Sequence, residues 1–360
     1  MTDSTPIDSG KPPTLDELPA PPSGKTGWPW TVASEPLPET QSSGKSWPKI
    51  TVVTPSYNQG AFIEETIRSI LLQEYPNLEY IVVDGDSTDQ TVEVLEKYDP
   101  WIDNWVSEPD EGQSHAINKG LEQSTGEIFN WINSDDLLEP GALGIIARHF
   151  DDTDAVIGRG RHFDGEESWL EDTYHFATKP LLRRLGDPEG CSFTQQAVWL
   201  WADQVKACGG IDPSFHYAMD RELYVRYTYQ YPRVTHVDQT LARFRIHDAS
   251  KTTESGFGDI VDNPFRRDVL RMMEKIQSMD QYCDLHAFCR RRADAIRWKL
   301  FVARLKRQDQ RSRIGRIAEL LVRLLRHPWR RLDHFTLNTA VRILLNLGDE
   351  QPILPWRAVS

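Results

Sequence analysis

The sequence predicts an α/β protein with a mostly parallel central sheet flanked by helices. Residues 50–150 contain four strand patterns, each followed by a helix pattern. Such units build parallel sheets because right-handed crossovers return the chain to the same edge. The second strand, residues 80–83, is a continuous apolar run, which is typical of a strand buried on both faces. A length of 360 residues leaves room for a helical C-terminal extension.

Local patterns locate the four strand–helix units along the chain. The β-branched run at 50–54 predicts the first strand, and apolar residues at helical spacing predict a helix over 61–73. Ser87 and Gln90 have capping-box spacing and open a helix that reaches about residue 98. The remaining elements of these units are predicted as a strand at 105–107, a helix at 113–123, a strand at 127–133 and a helix at 140–150.

The composition outside these units divides the chain into three parts. Residues 1–48 are rich in Pro, Ser, Thr and Gly and predict a disordered or loosely draped tail, whose later part Trp28, Trp30 and Trp47 could pin to the folded body. Shorter segments complete a folded domain over 49–253, and residues 254–360 are predicted to be helical and basic. The shorter segments are strands at 155–158, 197–200 and 240–246 and a helix at 221–231, and the last predicted helix covers 337–347.

Charge and cysteine usage exclude some classes of protein. The net charge is -13, although residues 290–331 hold fifteen Lys and Arg against three acids. The rest of the chain is therefore strongly acidic, and nucleic-acid binding is not expected.

The chain shows no membrane-length apolar run and no signal-peptide pattern, which favours a cytoplasmic location. The cysteines lack metal or disulfide spacing and are expected to be free thiols: Cys191, Cys208, Cys283 and Cys289.

Acidic residues follow the fourth strand, in the stretch Asn133, Ser134, Asp135 and Asp136. Open α/β sheets bind ligands at the carboxyl ends of their strands, and carboxylates there suit a divalent cation that holds a diphosphate. Considered alone, this stretch could equally cap a helix that opens near Pro140. Because no GxGxxG motif follows the first strand, a dinucleotide-binding domain is disfavoured.

Six segments within residues 50–252 resemble the family 2 glycosyltransferases, which have the GT-A fold. The resemblance implies transfer of a sugar from a nucleotide-diphosphate donor to the hydroxyl of a glycan or lipid-linked acceptor, in polysaccharide or surface glycan synthesis. The segments are ITVVTPSYNQGAFIEETIRSILLQ, IVVDGDSTDQT, SEPDEGQSHAINKG, WINSDDLLEPGAL, GGIDPSFHYAMDRELYVR and LARFRIHDASKT.

The same resemblance implies which residues bind the donor. In the family, the position of Asp84 typically contacts the base, while Asp86 and His115 stand where relatives often carry Gly and Asp. Without the resemblance, residues 55–58 would be interpreted as a turn with no ligand. The implied donor-binding residues are Thr54, Pro55, Tyr57, Asn58, Asp84, Gln113, Asn118, Asn133 and Ser134.

The resemblance also implies a metal site and a general base. Asp135 is the expected ligand of Mn or Mg, and His247 after the last strand is a second one. Because Asn133 brings no charge, the metal is expected to bind weakly without donor. Asp220 matches the position of the base that takes a proton from the acceptor hydroxyl in an inverting transfer. The alternatives are that Asp220 only caps a helix and that His247 is a surface histidine without a ligand role.

Several functional alternatives stay open at this point. The domain could bind a nucleotide sugar or glycan without turnover, or it could be a sugar nucleotidyltransferase, although residues 56–60 lack the basic residue that a triphosphate loop requires. The Arg-rich C-terminal helices fit an anionic membrane surface, which would place the protein peripherally on the inner membrane, and equally fit the solvated side of a bundle. Candidates for the acceptor side are Gln195, Gln196, Trp199 and Trp201.

Overall fold

The computed structural model describes residues 12–165, 167–183, 190–247, 250, 263–307, 312–326 and 336. The chain forms two compact units, residues 1–247 and 248–360. The first unit contains the α/β domain that the strand–helix pattern predicts, and it includes His247. The described part of the second unit is helical, as the composition predicts.

The first unit alternates strands and helices in its first half, as predicted. Its strands are β1 (Ile50–Ser56), β2 (Leu78–Asp84), β3 (Asn104–Ser107), β4 (Ile128–Trp131), β5 (Leu137–Leu138), β6 (Ala155–Phe163), β7 (Ser168–Glu171), β8 (Val198–Trp201) and β9 (Val234–Arg245). Its helices are α1 (Ile63–Leu71), α2 (Thr91–Tyr98), α3 (Gln113–Gln123), α4 (Ala142–Ala147), α5 (Thr178–Leu181), α6 (Ala202–Ala207) and α7 (Met219–Gln230). The sequence pattern does not predict β5, β7, α5 and α6.

These strands form one sheet in the order β3-β2-β1-β4-β8-β6-β9-β5, with β7 paired to β6. The strands β1 to β4 pair in parallel, which agrees with the predicted crossovers. The second half is mixed, because β8 lies antiparallel to both β4 and β6, while β6 and β9 are parallel. The first four strands therefore form an all-parallel block, and the rest of the sheet is mixed. Their carboxyl ends meet at one edge.

Close packing of helices on β1 sets the geometry of this edge. All seven residues of β1 are buried. A side chain at Gly120 of α3 would place a Cβ 2.5 Å from Val53, so α3 approaches β1 more closely than any larger residue allows. The same approach brings the first turn of α3, at Gln113, to the carboxyl edge of the sheet.

The described residues 12–48 contain no helix or strand, yet they pack on the first unit rather than hanging loosely from it. Trp30 and Trp47 are buried, and the indole of Trp28 donates a hydrogen bond to the carbonyl of Leu138 at 2.9 Å. Arg68 of α1 is completely buried beneath this segment. Its guanidinium donates to the carbonyls of Pro19, Pro29 and Trp30 and to the hydroxyl of Tyr98.

The second unit contains the helices α8 (Pro264–Gln277), α9 (Cys283–Arg307) and α10 (Arg313–Arg326). A small apolar cluster joins α9 to α10 through Trp298, Val302, Leu305 and Leu320. The predicted helix at 337–347 lies outside the described residues. Within the described part of the chain, none of the helices has the length and apolar character that crossing a bilayer requires.

We expect Arg68→Met to lower the free energy of unfolding by about 3 kcal/mol, because two buried carbonyls and a partly buried one lose their donor. Limited proteolysis should then cut residues 12–48 faster than in the wild type. Arg148→Met is the matched control, since Arg148 is exposed and only lies over the ring of Trp47. Equal stability of the two variants would show that Arg68 does not hold the segment.

Candidate active site

The turn after β4 carries the acidic stretch and is fixed to α1. Its own hydrogen bond runs from the amide of Asp136 to the carbonyl of Asn133 at 3.0 Å. The hydroxyl of Thr66 lies 2.9 Å from the carbonyl oxygen of Ser134 and 2.8 Å from that of Asp136. The helix α4 begins at Ala142 with Gly141 as its N-cap, so neither acid of the stretch caps it. The helix-cap interpretation of Asp135 and Asp136 is therefore wrong.

Asp136 is completely buried and accepts hydrogen bonds from three separate parts of the chain. Its Oδ1 accepts the amide of Arg245 at 2.9 Å, and its Oδ2 accepts the side-chain amides of Asn133, at 2.9 Å, and Gln196. Burial, together with the adjacent charge of Asp135, raises the pKa of Asp136 well above its usual range. Asp136 thus ties the turn to β9 and to the segment before β8.

Asp135 lies beside His247 and keeps part of its carboxylate exposed. The side chains of both residues are 18% exposed, and Oδ2 of Asp135 is 3.0 Å from Nε2 of His247. Arg245 fixes this arrangement by donating to the carbonyl of Asp135 and to the carboxylate of Glu65. The ring of Phe62 packs against His247 with centroids 4.8 Å apart.

Asp135 and His247 form a hydrogen bond with each other at 3.0 Å, and the same spacing also fits two ligands of one cation. Ligands at right angles and about 2.1 Å from an octahedral cation lie about 3.0 Å from each other. An oxygen and an imidazole nitrogen suit Mn better than Mg. Among the described residues, no cluster of three or more His, Cys, Asp or Glu could hold a metal ion. Two protein ligands therefore leave most of a coordination shell to water or to a bound anion.

A chain of amide groups connects this turn to α3. Nε2 of Gln113 donates to Oδ1 of Asn133 at 2.7 Å, and Asn133 in turn donates to Asp136. The next residue of α3, Ser114, is buried and donates to the sulfur of Met219 at 3.0 Å. The first turns of α3 and α7 are thus in direct contact beside the acidic stretch.

Asp220 follows Met219 and lies in the first turn of α7. Its Oδ1 accepts the amide of Arg221 at 2.6 Å, and the N-cap of the helix is Ala218, so Asp220 is not the helix cap. Burial raises the pKa of the Asp220 carboxyl. The burial of Tyr224 and the negative charge of Asp220 both raise the pKa of Tyr224, whose ring stacks on Trp131 at the end of β4. Asp220 therefore lies close to the strand that carries the acidic stretch.

Most polar side chains that are predicted to bind the nucleotide form hydrogen bonds with other residues of the protein. Oδ1 of Asn58 accepts the amide of Thr88, and Asn58 has a positive φ of 52°. The buried carboxylate of Asp84 accepts the amide and hydroxyl of Ser87 and the hydroxyl of Ser107. These contacts hold the turn after β2 in place at the same edge of the sheet.

Three further residues that are predicted to bind the nucleotide lie in β1 or directly after it. Thr54 and Pro55 lie within the buried strand β1, and the hydroxyl of Thr54 accepts that of Tyr80. In contrast, the ring of Tyr57 is 62% exposed directly after β1. Of these three side chains, only Tyr57 therefore presents a face to solvent.

Asn118 forms its side-chain hydrogen bonds with the main chain of Ile211 and not with the turns after β1 and β2. Its amide nitrogen donates to the carbonyl of Ile211 at 2.8 Å, and its amide oxygen accepts the amide of Ile211 at 2.9 Å. Trp199 is completely buried, and the indole of Trp201 donates to the carbonyl of Thr153. These two tryptophans belong to the core rather than to an acceptor surface.

The sequence motifs do not predict the polar residues that fix the site from α1 and α3. Thr66 lies on the buried side of α1, among isoleucines, and a hydroxyl in that position indicates an internal hydrogen-bond partner. Glu65 and Ser114 give no comparable signal, because their partners Arg245 and Met219 are more than a hundred residues away.

The fold is shared with a solved structure, S. aureus TarS 1–349 in complex with UDP-GlcNAc. The TM-score is 0.50 at 19% identity, over 64% of this chain and 67% of that chain. At this identity the likeness shows the fold alone. The predicted fold, a GT-A α/β domain with a helical C-terminal region, is confirmed.

The family model for Glycosyl transferase family 2 matches residues 51–205. An uncharacterised glycosyltransferase of Mycobacterium tuberculosis is 35% identical over 194 residues, which cover 50% of this chain and 69% of that relative. The chain therefore belongs to glycosyltransferase family 2, a family of enzymes. The resemblance that the sequence motifs indicate is confirmed.

Other relatives are covered over a smaller share of their length. TuaG of Bacillus subtilis, named for teichuronic acid biosynthesis, is 40% identical over 93 residues, which are 25% of this chain and 36% of TuaG. A glycosyltransferase of Rickettsia typhi is 27% identical over 222 residues, which are 57% of this chain and 66% of that relative. The family match ends before α7, so it does not include Asp220 or His247.

We expect Asn133→Asp to destabilise the protein more than Asn133→Ala does, although Asp has the same shape as Asn. The variant places a second carboxylate against the buried Asp136 where the wild type has a donor. The additional loss should be at least about 2 kcal/mol at neutral pH. Urea unfolding of both variants measures it, and an Asn133→Asp variant as stable as the wild type would contradict this account.

Proposed function

We propose that this chain is an inverting glycosyltransferase. It transfers a sugar from a nucleotide-diphosphate donor to the hydroxyl of a glycan or lipid-linked acceptor. Asp220 is the general base, and Asp135 and His247 hold Mn or Mg together with the donor diphosphate. The observation that carries this proposal is the placement of two distinct carboxylates at one edge of the sheet, one beside a histidine and one at the start of α7.

The metal assignment rests on the geometry of Asp135 and His247. Their atoms have the spacing of neighbouring ligands, and both side chains are partly exposed. When bound, the cation would neutralise negative charge that develops on the departing diphosphate. Arg245, whose guanidinium is 5.1 Å from the ring of Phe62, adds a positive charge on the same side. The two-ligand set explains why a metal would bind weakly until donor is present.

The base assignment rests on the position and acidity of Asp220. As the acceptor oxygen forms a bond with the anomeric carbon, the bond from that carbon to the diphosphate oxygen breaks, and the hydroxyl proton passes to Asp220. A single displacement of this kind inverts the anomeric centre and needs no covalent enzyme intermediate. A pKa raised by burial makes Asp220 a better proton acceptor than an ordinary surface aspartate.

The donor-binding assignments follow the edge of the sheet. Tyr57 offers an exposed ring face that suits a planar base. Asn58 and Asp84 shape the turn behind it, and Gln113, Asn133 and Ser134 form the wall next to the diphosphate. The side chain of Asn118 bonds to the main chain of Ile211, so the proposal gives Asn118 no direct contact with the donor.

The biological setting and location are also part of the proposal. The name of TuaG supports a role in the synthesis of a cell-surface polysaccharide. The four cysteines are free, which agrees with a reducing, cytoplasmic compartment. Contact with an anionic membrane would require the exposed side chains Ile314 and Leu325 of α10 to enter the lipid interface.

A panel of nucleotide sugars with Mn separates this function from its alternatives. Release of nucleoside diphosphate from one donor is the expected result. Binding of a donor by calorimetry with no release under any acceptor would favour a binding module instead. Exchange that depends on pyrophosphate would favour a sugar nucleotidyltransferase.

We expect Asp220→Asn to bind donor about as tightly as the wild type and to lose transfer by at least about a hundredfold. In the wild type, kcat/KM should rise with pH through the raised pKa of Asp220, because only the carboxylate form accepts the proton. Asp203→Asn is the control, since Asp203 is exposed in the first turn of α6. Transfer retained by Asp220→Asn would remove Asp220 as the base.

We expect Asp135→Asn to weaken Mn binding at least about tenfold in the presence of UDP or GDP, and His247→Ala to weaken it by a smaller factor. Calorimetric titration of Mn against each variant measures both effects. Glu108→Gln is the control because Glu108 is exposed and pairs with Lys119. Unchanged Mn affinity in Asp135→Asn would place the metal elsewhere.

A further inference from the structure

A row of aromatic rings crosses three strands of the sheet and ends at the surface. Phe244 of β9, His162 of β6 and Trp169 of β7 occupy paired positions, so they share one face. The ring centroids of Phe244 and His162 are 5.0 Å apart, and those of His162 and Trp169 are 5.7 Å apart. Trp169 is 43% exposed at the end of this row. A large ring that is held from one side and open on the other is suited to stacking on a ligand.

Polar groups are fixed beside the exposed ring. Oε2 of Glu171 is 3.0 Å from Nε2 of His162, and the other carboxylate oxygen accepts the hydroxyl of Ser192. The hydroxyl of Thr194 is 3.2 Å from the same imidazole nitrogen. The main chain of Ser192 also accepts the amide of Tyr174, whose side chain is 47% exposed. The exposed ring of Trp169 thus lies beside an ordered carboxylate and imidazole.

The segment 191–194 links these groups to the start of α7. The guanidinium of Arg221 donates to the carbonyl of Cys191 at 3.4 Å and lies 5.1 Å from the ring of Phe193. Arg221 is the neighbour of Asp220. One short segment therefore contacts the residue next to the proposed base and also Glu171 and Tyr174.

We propose that Trp169 forms a platform that binds a hexose ring of the acceptor glycan. This inference rests on the proposed function, because it uses Asp220 to identify the acceptor side. Sugar rings combine an apolar C–H face with hydroxyl edges. The C–H face stacks on an aromatic ring, and the hydroxyl groups form hydrogen bonds with carboxylate and imidazole groups such as Glu171 and His162.

A sugar fits this surface better than a protein partner does. Stable protein interfaces bury about 800 Å² on each side with an apolar centre. Here the exposed ring of Trp169 stands next to charged and hydrogen-bonding groups. Leu170, which is also exposed, projects to the other face of β7, because it pairs with Arg161 rather than with His162.

Saturation-transfer NMR with methyl glycosides of glucose, galactose, mannose and N-acetylglucosamine tests the platform without any transfer reaction. Wild-type protein and Leu170→Ala should both show transfer to at least one of these sugars. Trp169→Ala should reduce the affinity for it about tenfold, and Trp169→Phe should retain part of it. Leu170→Ala is the matched control, since Leu170 is exposed on the same strand.

Three results would overturn the platform. They are absence of saturation transfer from the wild type to all four sugars, equal affinity in Trp169→Ala and the wild type, and a change of oligomeric state in Trp169→Ala by light scattering. Release of nucleoside diphosphate by the wild type is measured in parallel with the panel of nucleotide sugars, Mn and acceptors. No release under any acceptor would refute the proposed function while leaving the sugar-binding result to stand by itself.

Discussion

The buried carboxylate of Asp136 is the constraint on which the candidate site depends. An ionised or protonated carboxyl group inside a protein costs several kcal/mol unless its oxygens are hydrogen-bonded. The three donors to Asp136 come from Asn133, Gln196 and Arg245, which are far apart in sequence. Satisfying this one group therefore fixes the turn after β4, the segment before β8 and the end of β9 relative to one another.

The same constraint explains the different environments of two adjacent acids. Asp136 is enclosed, whereas Asp135 points to the open side and lies 3.0 Å from His247. His247 reaches this position because Arg245, two residues earlier, is held by Asp136 through its main chain and by Asp135 and Glu65 through its side chain. The buried carboxylate also explains why residue 133 is an asparagine. Its neutral amide can donate a hydrogen bond to Asp136, whereas a third carboxylate could not.

Local patterns in the sequence predict the part of the fold that local contacts build. Residues 50–150 alternate strand and helix as their apolar spacing indicates, and α3 covers the predicted residues 113–123. The mixed order of β8, β6, β9 and β5 depends on pairing between distant strands, which no local pattern encodes. Trp28, Trp30 and Trp47 predict that the later part of residues 12–48 is pinned to the folded body, but the packing of the whole segment could not be predicted for a related reason. Their composition is that of a tail, and the buried donor that holds them, Arg68, lies in another element.

At the candidate site, residue type could predict the chemistry but not its orientation. The sequence motifs predict roles for Asp135, His247 and Asp220, yet Asn118 matches its motif equally well and bonds to Ile211. In the proposed function, Asp135 and His247 supply two ligands beside a buried, fully bonded neighbour, so a cation there would take its remaining ligands from water or from a donor diphosphate. Binding of metal and donor would then be coupled, and by thermodynamic reciprocity each would strengthen the other by the same factor. The proposed metal site would thus be completed by its own substrate.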